Sequence, residues 1–144
     1  MRLCRLIYSS YAVPNLNYPD LRDIMEKSEQ NNQQIGLTGM LCYGDGMFLQ
    51  ILEGGREAVN RTYQRICNDQ RHYNLEIIEC VEVEHRLFPV WSMKTVQLGS
   101  YYPERVKELL LKYSPSTTFL PQRMSTSQCL HFMLELRTLY QTTS

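Results

Sequence analysis

No run in this 144-residue chain comes near the roughly 20 consecutive apolar residues that a membrane-spanning helix needs. The opening residues, MRLCRLIYSS, lack the apolar stretch and small-residue cleavage site of a secretory signal. Charge of one sign is not in excess: Lys and Arg together number 15, as do Asp and Glu. The basic footprint of a nucleic-acid binder or of a protein drawn to an anionic membrane surface is therefore missing. The five cysteines, Cys4, Cys42, Cys67, Cys80 and Cys129, are odd in number, scattered, and contain no C-x-x-C. They read as reduced thiols of a cytoplasmic protein, buried as small hydrophobes. His72, His85 and His131 lie too far apart in sequence to suggest a metal site. Repeats and low-complexity segments are also wanting. What is left is a chain of single-domain size, long enough to bury roughly two thirds of its unfolded surface.

The hydrophobic periodicity predicts an alternating order of strands and helices. Residues 2–10 form a first strand, with Leu3, Arg5 and Ile7 on one face and Cys4, Leu6 and Tyr8 on the other. A turn at NLNYPD sets Pro19 at the first helical position, and Leu21, Ile24, Met25 and Ser28 then recur at helical spacing to about Asn32. Residues 35–43 read as a second strand, GDG at 44–46 as a hairpin turn, and 47–53 as a third strand. A helix over 56–68 turns Val59, Tyr63, Ile66 and Cys67 inward, and strands over 75–83 and 90–98 follow. The order β-α-β-β-α-β is the ferredoxin-like α+β pattern, here with an added fifth strand and two helices on one sheet face. Right-handed crossovers put strands one and three side by side at the centre; the rule does not place strand five. The tail reads as two further helices, about 103–113 and 126–140, the second capped by Ser125 or Thr126. Leu130, Met133, Leu134, Leu136 and Leu139 give that last helix an apolar stripe, suited to covering the opposite sheet face.

Within the third strand, MFLQILEG at 47–54, Gln50 is out of character. A primary amide carries two donors and a two-lone-pair acceptor, and burying it unpartnered costs on the order of 1–3 kcal/mol. Tyr8, on the neighbouring strand, is one partner, and such a pair can serve merely to fix register. Gln50 has more hydrogen-bonding capacity than one tyrosine uses, which leaves room for water, backbone or a ligand.

Other groups read two ways. Asn31 and Asn32 end the first helix, where Asn is common as a C-cap. Trp91 and Met93 share a face of strand five, as core pairs do. Arg65, Arg71 and His72 lie late in and just after the second helix, as a solvated charged end or as phosphate contacts. Ile24 and Ile66 either pack on each other or hold a flat aromatic ligand between the two helices.

The segments RLIYSS, NNQQIGLTGMLCY, MFLQILEG, RICNDQRHYN and WSM, in this order and spacing, resemble the BLUF domain, a blue-light sensor that uses flavin. The resemblance covers about residues 1–98. The tail over 99–144, with LKYSP and two helices, resembles the short single-domain photoreceptors of the PixD type, and is expected to pack on the same domain rather than form a catalytic output unit. The resemblance implies that Ile24 and Ile66 cover the two ring faces, and that Asn32 bonds the flavin carbonyl edge. Asn31 sits where relatives vary. Gln50 would bridge Tyr8 and the flavin, with Met93 beside it and Trp91 placed inward or outward. Arg65, Arg71 and His72 match the ribityl-phosphate end. FAD is the implied cofactor, and FMN or riboflavin also suits the ring pocket. The implied function is sensing rather than enzymatic: light rearranges the Tyr8–Gln50–flavin hydrogen bonds. The signal then passes to a response-regulator-like partner of a homo-oligomer larger than a dimer, in phototaxis or a related response.

Two other functions share this order of elements. An acylphosphatase-like phosphoryl hydrolase would need a phosphate-cradling loop after strand one, and SSYAVPN is a poor cradle. An RNA-binding module would need exposed aromatics on the central strands in basic surroundings, and Phe48 stands there without basic companions.

Overall fold

The computed structural model describes residues 2–89, 92–98 and 104–141, with only the backbone described over 92–98 and 140–141. Ten elements follow in order: β1 (Leu3–Ala12), α1 (Tyr18–Gln34), β2 (Thr38–Gly44), β3 (Met47–Gly55), α2 (Arg56–Cys67), β4 (His72–Val83), β5 (Ser92–Leu98), α3 (Glu104–Tyr113), a 3-10 turn (Pro121–Arg123) and α4 (Thr126–Gln141). The sheet order is β4-β1-β3-β2-β5. β1 is antiparallel to both β3 and β4, and β2 is antiparallel to β3. β5 runs parallel to β2 at the edge, the position the crossover rule alone did not supply.

Local chemistry accounts for the boundaries. The Asn17 side chain accepts from the Asp20 N–H at 2.8 Å, capping α1, and Pro19 and Asp20 occupy its first turn. Between β2 and β3, Asp45 and Gly46 have φ of 49° and 74°, the two positive values of a type I′ hairpin turn. Ser125 and Gln128 cap α4 reciprocally: the Gln128 N–H donates to Ser125 Oγ at 3.1 Å, and the Ser125 N–H donates to Gln128 Oε1 at 2.8 Å.

The two central strands are buried on both faces because helices cover both. On one face Leu21 of α1 packs with Leu41 and Phe48, and Val59 of α2 packs with Cys4, Leu6 and Leu52. On the other, Ile7, Met40, Leu49 and Ile51 join Val106 and Leu110 of α3 and Cys129, Phe132, Met133 and Leu136 of α4 in one core. Thr126 ties the start of α4 to β4, its Oγ1 donating to the Ile78 carbonyl at 3.2 Å. At Gly39 a Cβ would lie 1.8 Å from the Ile51 carbonyl oxygen, so β2 and β3 meet at a distance only glycine permits.

Several sequence-based boundaries are corrected. α1 continues to Gln34 and its C-cap is Ile35, so Asn31 and Asn32 lie within the last turn and do not cap it. β2 starts at Thr38 rather than residue 35, because Gly36 takes a φ of 71° and the Leu37 N–H turns back to the Asn32 carbonyl at 3.0 Å. Pro19 is the second residue of α1 rather than the first. β1 reaches Ala12, and β4 begins at His72 rather than residue 75. Cys67 and Cys80 are exposed, against the expectation that all five cysteines are buried and that Cys67 points inward. Cys67 falls on the solvent side of the last turn of α2, and Cys80 lies on β4, the sheet edge. Trp91 lies outside the described residues, as does the Met93 side chain.

Candidate functional site

A cavity of about 170 Å³ lies between α1 and α2, over the face of the sheet that carries Tyr8 and Gln50. The sheet contributes Tyr8, Leu41, Phe48 and Gln50; α1 contributes Ile24, Lys27, Ser28, Asn31 and Asn32; α2 contributes Thr62, Arg65 and Ile66; Asp69, Arg71 and His72 complete the lining. Tyr8, Ile24, Asn31, Asn32, Gln50, Arg65, Ile66, Arg71 and His72, all singled out in the sequence, therefore meet in one place.

Tyr8 and Gln50 are direct cross-strand partners in the β1–β3 ladder. The Tyr8 hydroxyl donates to Gln50 Oε1 at 2.5 Å. Both residues are 3% exposed or less. That bond occupies the oxygen end of the amide, and the amide nitrogen has to find its partners elsewhere. Burial above all, and the neighbouring Tyr63 next, push the Tyr8 phenol well above its ordinary pKa, so it remains a neutral donor. Tyr63, whose ring centre is 5.5 Å from that of Tyr8, is itself pushed up to about 12, mainly by burial.

His72 is held at both ring nitrogens. Its Nε2–H donates to the Ile66 carbonyl at 2.7 Å, and Nδ1, 2.7 Å from Ser10 Oγ, accepts from that hydroxyl. The ring stands edge-on to Tyr8 and Phe48. Arg71 is similarly engaged: Nη1 donates to Asp23 at 2.9 Å, and Nη2 and Nε donate to Asp69 at 2.8 and 3.0 Å. Hydrogen bonds from Arg71 hold both carboxyls below the usual carboxylate range, and bonds to Asp69 and Asp23 raise the Arg71 pKa in turn. Asn32 is 2% exposed, whereas Asn31, Lys27 and Arg65 are exposed at the rim.

Sequence reasoning passed over Asp23, Lys27, Thr62 and Asp69. Asp23 and Lys27 pair at i, i+4 on α1, a spacing visible in the sequence. Thr62 is 6% exposed, and its hydroxyl has no hydrogen-bond partner among the described residues. Nothing local distinguishes it from an ordinary threonine on a helix.

The lining fits a flat heteroaromatic ligand with an anionic tail. Branched aliphatics on facing helices suit ring faces, a primary amide and an asparagine suit ring carbonyls and nitrogens, and rim cations suit phosphate. Phe48 is buried rather than displayed on the sheet, which removes the RNA-binding surface. The described residues contain no cluster of metal ligands and no helix long and apolar enough to cross a membrane.

Comparison with known proteins agrees with this chemistry. Residues 3–94 match the family model for BLUF, described as sensors of blue-light using FAD. The chain is 28% identical over 125 residues to photoactivated adenylate cyclase subunit beta of Euglena longa, across 83% of this chain and 14% of that protein. It is 31% identical over 96 residues to the blue light- and temperature-regulated antirepressor BluF of Escherichia coli strain K12, across 67% of this chain and 24% of that protein. The chain thus spans less than a quarter of either curated relative. Among solved structures, BlsA in its photo-activated state superposes with a TM-score of 0.81 at 32% identity, covering 93% of this chain and 94% of that one. With its sheet, its two-helix cavity and a family match over most of its length, the chain belongs to the BLUF family of flavin-binding blue-light sensors.

Proposed function

We propose that this protein senses blue light through a reversible exchange of hydrogen bonds among Tyr8, Gln50 and a flavin held in the cavity between α1 and α2. The observation that carries the reading is the buried Tyr8–Gln50 bond lining that cavity. A bound flavin supplies the blue-light absorption and, when excited, an oxidant for a nearby phenol. Tyr8 gives up one electron and its phenolic proton and then regains both. Its raised pKa keeps it protonated until it is oxidised. Gln50 exchanges its donor and acceptor ends, by rotation or tautomerisation, with no net charge to rehouse. Ile24 and Ile66 sandwich the ring, and Asn32, with Asn31 nearer the rim, bonds its polar edge. Met93 and Trp91, on and beside β5, carry the change outward.

FAD is the proposed cofactor, with FMN and riboflavin as weaker occupants that share its ring. Arg65 and Lys27 are the rim cations best placed for the phosphates, because Arg71 is committed to Asp23 and Asp69 and His72 to Ser10 and Ile66. The protein acts as a sensor, not a catalyst. It works in the cytoplasm, a placement supported by the odd number and scattered spacing of its five cysteines. Its output is contact: a homo-oligomer larger than a dimer, of the kind the PixD-like tail suggests, that loosens its hold on a response-regulator-like partner in the light, in phototaxis or a related response.

The test is a light-minus-dark absorption spectrum. The purified protein should carry a releasable flavin and show a red shift under blue light. Gln50→Leu and Tyr8→Phe should keep the flavin and lose the shift, while Ile66→Asp should lose the flavin by setting a charge against an apolar ring face. A normal shift in Gln50→Leu would refute the mechanism. Light scattering in the dark and under illumination tests the assembly, and a monomer in both conditions would remove it.

A further inference from the structure

Glu53 lies three residues beyond Gln50 on β3 and faces the other side of the sheet, directly across from Arg5 on β1. It is fully buried. Its carboxylate accepts from Arg5 Nε at 3.3 Å and from the main-chain N–H groups of Leu87 and Phe88 at 3.1 and 2.6 Å. The Glu53 carbonyl accepts from Arg86 Nη1 at 3.1 Å, and the same guanidinium donates to Thr38 Oγ1 at 2.7 Å. The segment gripped in this way joins β4 to β5. α4 holds it from the opposite side: Arg137 Nη1 donates to the Leu87 carbonyl at 2.6 Å, and its guanidinium lies 4.9 Å from the centre of the Phe88 ring. Phe88 itself is fully buried.

Two pairs of the β1–β3 ladder, three rungs apart, therefore do different work. Tyr8 opposite Gln50 serves the cavity, and Arg5 opposite Glu53 anchors the lead into β5. Bonds to a buried carboxylate are strong and directional, and an N–H that loses such a partner stays unpaired. Gln50 and Glu53 are joined by the β3 backbone across Ile51 and Leu52, and from the Glu53 carboxylate hydrogen bonds continue to Leu87 and Phe88 and, through the Leu87 carbonyl, to Arg137 of α4.

We propose that Glu53 and Arg137 are positioning residues for the light response, coupling the Tyr8–Gln50 pair to α4 through the 86–88 segment, so that the grip of α4 sets how fast the lit state returns to dark. The inference rests on the blue-light reading above. Its test compares dark-recovery rates of the flavin-loaded protein. Arg137→Gln should change recovery by about fivefold, the kinetic equivalent of one ordinary intramolecular hydrogen bond. Arg137→Lys should fall between it and the parent. Lys112→Gln, which breaks the exposed Lys112–Glu135 link between α3 and α4, should recover at the parent rate. In flavin-free protein, Arg137→Gln should speed amide hydrogen exchange at Leu87 and Phe88. Unchanged recovery in Arg137→Gln would overturn the coupling. An equal change in Lys112→Gln would do the same, since it would show general loosening of the tail. A parent protein with bound flavin and no red shift would instead sink the sensor reading on which the coupling rests.

Discussion

Arg71 joins the two helices that flank the cavity: its Nη1 lies 2.9 Å from Asp23 on α1, while Nη2 and Nε hold Asp69, two residues past the end of α2. The guanidinium is a latch beside the ligand space rather than a free phosphate clamp. Asp23→Asn should speed flavin release a few-fold at most, since partly exposed pairs contribute little. Acid should act on the same latch. Both carboxyls have folded-state pKa values below their unfolded ones, so the contribution is present above about pH 4 and is lost as pH falls through the folded values. Flavin fluorescence after dilution, followed from pH 7 down to 3, measures both effects. Parent and Asp23→Asn should differ at neutral pH and converge in acid.

The C-terminal helix belongs to the core. Leu136 is fully buried against the face of the sheet away from the cavity, so Leu136→Ala should cost about 2–5 kcal/mol in urea unfolding. Leu111→Ala, on the exposed side of α3, should stay within about 0.5 kcal/mol of the parent. Equal losses at the two positions would contradict the packing described.

Gly39 and Gly36 both take positive φ, but for different reasons. A Cβ at residue 39 would strike the Ile51 carbonyl, and backbone held in a ladder has no room to yield, so Gly39→Ala should abolish soluble expression. At residue 36 nothing lies within 4 Å, and asparagine tolerates a left-handed φ, so Gly36→Asn should fold with a small loss of thermal midpoint.

Much of this architecture was legible in the residues. A nearly continuous apolar run marked β3, the turn at 44–46 joined it to its hairpin partner β2, and Gln50 advertised itself as an amide in an apolar strand. The errors came where local pattern and backbone diverge. Ile35 and Leu37 look like strand residues, yet Leu37 is buried by a chain reversal at Gly36 before β2 begins. Long-range pairings were out of reach: Arg71 finds Asp23 48 residues away, and Glu53 finds amides 34 and 35 residues away. A glutamate at the end of a strand reads as solvent-facing until its distant donors are known. Thr62 gave no signal, because an unpartnered hydroxyl is a property of the fold rather than of the threonine.

The sharing of Ile7, Leu49 and Ile51 with Phe132, Met133 and Leu136 bears on how this sensor can be reused. The family match ends at residue 94, but a fragment trimmed there would lay bare the underside of its own sheet. As a light-responsive building block, the transplantable unit extends at least to Leu139, and a cargo belongs beyond that point or ahead of β1.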